Sequence, residues 1–115
     1  MKSIALALTA TAMALVLTAA QAQAQTPAEK GKAAYIRHGC WQCHGFEGQG
    51  GITGPRLAPD VKPLAVISAF VRNSNGAMPP YTTAILPEAD MADIHAYLAA
   101  IPKARDAKSI PQLNP

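Results

Sequence analysis

Five consecutive residues, Cys40-Trp41-Gln42-Cys43-His44, are the stretch of this chain whose types and spacing can do specific chemistry. Two thiols three positions apart share one helical turn, and an imidazole follows directly. That is the attachment pattern for a covalent c-type haem. Each thiol can add to a vinyl group as a thioether, which leaves His44 under the ring with a nitrogen facing the iron. The competing uses of Cys40 and Cys43 are a thioredoxin-like dithiol and a plain disulfide. The dithiol needs a sheet and a βαβ pattern, and no strand pattern is found in the sequence. With only two cysteines, a multi-disulfide framework and a zinc site of four Cys ligands are both excluded.

An iron held by His44 has a second axial position. Beyond residue 24 the chain has two methionines, Met78 and Met91. Met91 lies on the apolar stripe of a predicted helix, where core packing is the ordinary explanation. Met78 sits in a Gly/Pro-rich loop with no stripe to serve, and a proline-stiffened loop presents a thioether at low entropic cost. That asymmetry points toward Met78. His38 is too close in sequence to the attachment turn to reach the opposite face easily, and His95 reads as a solvated helix residue.

Three helices must position these groups. Thr26-Pro27-Ala28-Glu29 is a capping box with Pro at the first helical position, which predicts a helix from Pro27 to about His38 stopped by Gly39. Five glycines between Gly45 and Gly54 predict an irregular loop. It lacks a following Gly-Lys-Ser/Thr, so phosphate binding is not its use. A second helix from Pro63 to about Arg72 puts Leu64, Ile67 and Val71 on one face. Met78-Pro79-Pro80-Tyr81 cannot be helix interior. The last helix, Pro87 to Ala100, carries Met91, Ile94, Leu98 and Ile101 at spacings of three or four, with Glu88 and Asp90 favourably placed in its first turn. Residues 103–115 have no apolar periodicity and read as an extended, mobile tail.

The N-terminus reads as an address. Lys2 is followed by an apolar run from Ile4 to Ala20, and Ala20-Gln21-Ala22 and Ala22-Gln23-Ala24 are small-residue cleavage sites. A retained anchor is the alternative, but the run is at the short limit for a spanning helix and no charged stop-transfer flank follows. The expected organisation is a signal peptide at 1–24, one domain at 25–102 and the tail at 103–115. Cleavage leaves an exported, periplasmic protein with no membrane span. A domain of this size buries only about 60–65% of its unfolded surface. With six aromatic residues in the whole chain, it needs an added source of core.

At this point the chain resembles the small class I c-type cytochromes of bacteria. The resemblance rests on Gly31 and Tyr35, Cys40 to Gly45, Gly54-Pro55-Arg56-Leu57, Met78-Pro79-Pro80, and Ala96-Tyr97-Leu98. It implies a compact all-α fold of three main helices wrapped around one covalent haem c. It also implies His44 and Met78 as axial ligands, with the Pro55 carbonyl bonded to the other nitrogen of His44. Gly31 would let the first helix approach the last near Tyr97. Pro87 departs from the Ser cap that relatives often have. Arg56 is a candidate for a haem propionate, with Lys62 and Arg72 competing. Trp41 either lines the haem or covers apolar surface, and Glu47 has no second carboxylate for acid–base work.

The function implied is electron transfer rather than substrate turnover. The classes open are a diffusible carrier, an electron-accepting subunit of a dehydrogenase, and a haem sensor or peroxidase-like protein with a displaceable distal ligand. The expected partner is a redox protein, a periplasmic dehydrogenase or a terminal oxidase. Nucleic acid is not expected, because the formal charge is only +3 and the basic residues are scattered. No run of lysines surrounds Cys40 to His44, so docking should rely on apolar contact at Trp41, Ile52, Met78, Pro79, Pro80 and Tyr81.

Overall fold

The computed structural model describes residues 24–114, so the candidate signal segment lies outside the described residues except for Ala24. Four α-helices follow in order: α1 (Pro27–Arg37), α2 (Trp41–His44), α3 (Leu64–Asn73) and α4 (Glu88–Ala100). Two short 3-10 turns close the chain, at Ala107–Ser109 and Pro111–Leu113. Among the described residues there is no strand.

α1 starts where its cap dictates. Glu29 donates its backbone N–H to the Thr26 hydroxyl (3.3 Å), and the Thr26 N–H donates back to the Glu29 carboxylate (2.7 Å). Both orphan donors of the first turn are thus satisfied. That bonding to the charged form holds the Glu29 carboxyl below its ordinary range. The helix ends at Arg37, and Gly39 turns the chain with φ of +76°. α4 begins without a side-chain cap at Pro87, and its first turn carries Glu88 and Asp90 instead.

α1 and α4 form the main helix pair. Gly31 makes this possible: a Cβ there would lie 1.8 Å from the Asp93 carbonyl oxygen and 2.9 Å from the Tyr97 Cβ. Only a glycine admits so close an approach of two backbones. Ala34 and Tyr35 from α1 and Met91, Ile94, Tyr97 and Leu98 from α4 are all buried there. The Tyr35 and Tyr97 rings meet at 5.6 Å between centroids. Across the end of the pair, Arg37 (2.8 Å) and His38 (2.9 Å) both reach the Asp90 carboxylate.

α3 behaves differently. Of its expected inner face, Val71 is buried, Ile67 half-buried and Leu64 exposed, while Val66 and Phe70 are 56% and 62% exposed. For Val66, Ile67 and Phe70 the reason is that α3 lies across a large apolar cavity and touches α4 only slightly. Val66, Ile67, Phe70 and Val71 all line that cavity.

The exposed tail carries two short local turns. Asp106 accepts from the Lys108 N–H (3.0 Å), and Asn114 donates to the carbonyls of Ala107 (2.7 Å) and Ile110 (3.0 Å). Short polar side chains binding nearby backbone curl the chain into turns, which apolar periodicity cannot reveal.

Candidate haem site

The cavity has a volume of about 890 Å³. That is near the upper end for small-molecule and cofactor sites. Cys40, Cys43 and His44 line it from α2 and its N-cap, Val66 to Val71 from α3, and Met78, Pro79 and Tyr81 from the loop after α3. Met91, Ile94 and Leu98 close it from α4. The lining is predominantly apolar, and its two charged side chains, Arg56 and Lys62, are both basic and exposed to solvent.

His44 is 7% exposed, and its orientation is fixed from behind. Its Nδ1 is 2.8 Å from the carbonyl oxygen of Pro55. A carbonyl only accepts, so Nδ1 donates, and in the neutral ring Nε2 holds the lone pair. A histidine restrained in this way is oriented to give Nε2 to a metal. The glycine loop makes the arrangement possible. A Cβ on Gly54 would lie 2.7 Å from the Cys43 carbonyl oxygen and 2.9 Å from His44 Nδ1, so only a bare backbone passes behind the imidazole. The Gly50 N–H donates to the His44 carbonyl at 2.8 Å, which closes the wrap.

Both cysteines are free thiols. Burial pushes the Cys40 thiol up to about 11. A redox dithiol needs the opposite, an attacking sulfur with a lowered pKa in electropositive surroundings. The raised Cys40 thiol gives the dithiol alternative no support, and the described residues lack the sheet it needs.

Met78 is half-buried, with its carbonyl accepting from the Ser74 hydroxyl at 2.7 Å. Met91 also lines the cavity, but at 2% exposure it is embedded in the helix-pair core. Neither spare histidine is free. His38 is bound to Asp90, and His95 on α4 makes an exposed contact, with Nε2 3.0 Å from the Lys62 carbonyl. Arg72 is engaged elsewhere: its guanidinium donates to the Tyr81 carbonyl (2.8 Å) and pairs with Glu88 (2.9 Å). It does not line the cavity, which leaves Arg56 and Lys62 as the basic groups at its rim. Trp41 lies outside the lining and stacks on Phe46 at 4.6 Å, covering apolar surface.

Sequence reasoning missed the groups that brace the site. The Tyr35 hydroxyl donates to the Gly45 carbonyl (2.8 Å) and the Tyr97 hydroxyl to the Phe46 carbonyl (2.7 Å). The Tyr81 hydroxyl donates to the His38 carbonyl (3.1 Å). Burial raises all three phenols above their ordinary value. These bonds join residues 10 to 51 positions apart and leave no local pattern.

Comparison with protein families matches residues 26–98 to the family described as Cytochrome C oxidase, cbb3-type, subunit III. The chain belongs to this family of c-type cytochromes. Comparison with curated proteins and with solved structures gives no match. The all-helical architecture of the cytochrome is that of the class I cytochrome c fold. Such a domain carries covalent haem c, and Cys40, Cys43 and His44 fit its binding motif. The apolar walls, the restrained imidazole and the basic rim at Arg56 and Lys62 suit an apolar disc with anionic propionates. It is a haem-based electron-transfer domain. Among the described residues, no helix is long and apolar enough to cross a membrane.

Proposed function

We propose that this cytochrome shuttles single electrons in the periplasm with His44 and Met78 as axial ligands, as a carrier or as the electron-accepting subunit of an oxidoreductase. One observation carries the reading. Cys40, Cys43 and His44 on one element and Met78 on a proline-stiffened loop, more than 30 residues later, line the same apolar cavity.

When bound, the haem supplies a one-electron Fe(III)/Fe(II) couple. The chain's own residues do the rest. Cys40 and Cys43 fix the group covalently, so it is not lost to a partner. The Pro55 carbonyl holds the His44 ring and keeps the proton on Nδ1. Apolar side chains from α3 and α4 exclude water, which favours a relatively high potential together with a thioether ligand. Occupation of both axial positions by protein groups supports electron transfer over sensing or peroxidase chemistry. Arg56 is the propionate partner in this reading. The family's description names an oxidase subunit, which supports a redox protein such as a terminal oxidase or a dehydrogenase as partner. Docking relies on apolar contact at the candidate edge residues Trp41, Ile52, Met78, Pro79, Pro80 and Tyr81.

Acid acetone tests the attachment, and the near-infrared sulfur-to-iron band tests the ligand. Colour should stay with the precipitated polypeptide, and the ferric band should vanish in Met78→Ala. Haem passing into the solvent would end the reading of Cys40 and Cys43. A band that survives Met78→Ala would remove Met78 as ligand.

A further inference from the structure

Pro79 and Pro80 deprive the loop after Met78 of two backbone donors. The segment can therefore be held only through its carbonyls and through Tyr81. The last turn of α3 meets both needs. The Val71 carbonyl, an orphan acceptor at a helix end, takes the Tyr81 N–H at 2.9 Å. Ser74, 7% exposed, donates its hydroxyl to the Met78 carbonyl at 2.7 Å. Arg72 donates one guanidinium nitrogen to the carbonyls of Tyr81 (2.8 Å) and Thr82 (3.3 Å) and the other to Glu88 (2.9 Å). Its side chain is only 14% exposed, and its buried Nε has no partner among the described residues. The guanidinium is thus oriented by the loop carbonyls and Glu88, even at the cost of an unpaired Nε.

We propose that Ser74 and Arg72 are positioning residues for the axial thioether. Together they clamp the carbonyls on either side of Pro79-Pro80, so that the Met78 sulfur stays presented to the cavity. The inference rests on reading Met78 as the second axial ligand. A thioether is a neutral, weak ligand, and it remains on the iron only while its loop is held close. With the clamp cut, the loop spends more time open, and a competing ligand gains access in proportion to the open fraction.

Imidazole titration of the intact ferric protein, followed by loss of the near-infrared band, reads that fraction. Loss of one well-formed hydrogen bond corresponds to about a tenfold shift in such an equilibrium. Ser74→Ala and Arg72→Gln should each tighten apparent imidazole binding by about that factor, while Ser74→Thr, which keeps the hydroxyl, should stay near wild type. Thr26→Ala removes the α1 cap far from the loop; it should lower the melting temperature and leave imidazole affinity unchanged. If Arg72→Gln fails to mature, Ser74→Ala and its threonine rescue decide the matter. Unchanged affinity in Ser74→Ala, or equal tightening in Thr26→Ala, overturns the clamp while leaving Met78 as ligand. A band that survives Met78→Ala overturns the ligand reading and the clamp together.

Discussion

The two sides of the cavity are built on different principles. On one side α1 and α4 make their own core: Tyr35 is 0% exposed, and Met91 and Leu98 are each 2% exposed. Opposite them, α3 holds Phe70 at 62% exposure and Val66 at 56%, aimed into the cavity. The helix pair needs no guest to bury its apolar face. α3 does, and so does the Met78 loop it supports. The contrast assigns the haem a structural duty toward one half of the molecule, as its missing core, as well as a chemical one.

Removing the haem should break the contrast most severely. Polypeptide made without it should be largely unfolded by far-ultraviolet circular dichroism, because half of its core is gone while the ordering entropy is not. Any helix that survives should belong to α1 and α4. A haem-free chain with the full helix content of the haem protein and a cooperative thermal transition would show that both halves are self-sufficient.

Met91 and Met78 sharpen the comparison with one residue type. Met91→Ala should cost about 2–5 kcal/mol, as deletion of a buried side chain does, and keep the near-infrared band. Loss of the band there would transfer the ligand role to the helix pair.

Gly31→Ala should come next. With its Cβ 1.8 Å from the Asp93 carbonyl oxygen, the two helices must separate. The expected loss is about 3 kcal/mol, the upper end of ordinary overpacking. Gly76, beside the cavity, has nothing within 4 Å of its Cβ position, so Gly76→Ala should leave the melting temperature nearly unchanged. Equal effects would mean that α1 and α4 are not the closer-packed side.

The smallest expected effect concerns the ion pairs at the end of the helix pair. Bonds from His38 and then Arg37 hold the Asp90 carboxyl below its ordinary range. A lowered carboxyl contributes stability above its unfolded value of about 3.9 and loses it as pH falls through the folded value. Asp90→Asn should therefore cost less than about 1 kcal/mol near pH 6, since the carboxylate is partly exposed. That difference should fade in melting curves taken below about pH 4. A constant difference down to pH 2 would assign the loss to packing.

Local signals were legible in the sequence, and distant ones were not. The Thr26–Glu29 box and Gly39 bound α1 to within one residue, because capping chemistry is completed within one turn. The Met91, Ile94 and Leu98 stripe marked the buried face of α4 for the same reason. Cys40, Cys43 and His44 stood out because their whole pattern fits in five residues. Ser74 and Arg72 left no such trace: a serine and an arginine at a helix end have many uses. The partner of His95 left no trace either, because the Lys62 carbonyl lies 33 positions away. Leu64 was read as an inner residue because periodicity assumes a packing partner; it is 37% exposed and lies outside the cavity that Val66, Ile67, Phe70 and Val71 line.

The paired tyrosine bonds behind the attachment turn bear on what happens when an electron arrives. Tyr35 grips the Gly45 carbonyl from α1, and Tyr97 grips its neighbour at Phe46 from α4. One grip would act as a swivel, whereas two set the direction of the segment Gly45-Phe46 just after His44. The helix pair thereby anchors the turn that carries the His44 imidazole. With iron held by His44, charge gained or lost there would meet dipoles already fixed in place, an arrangement that lowers the cost of rearranging nuclei.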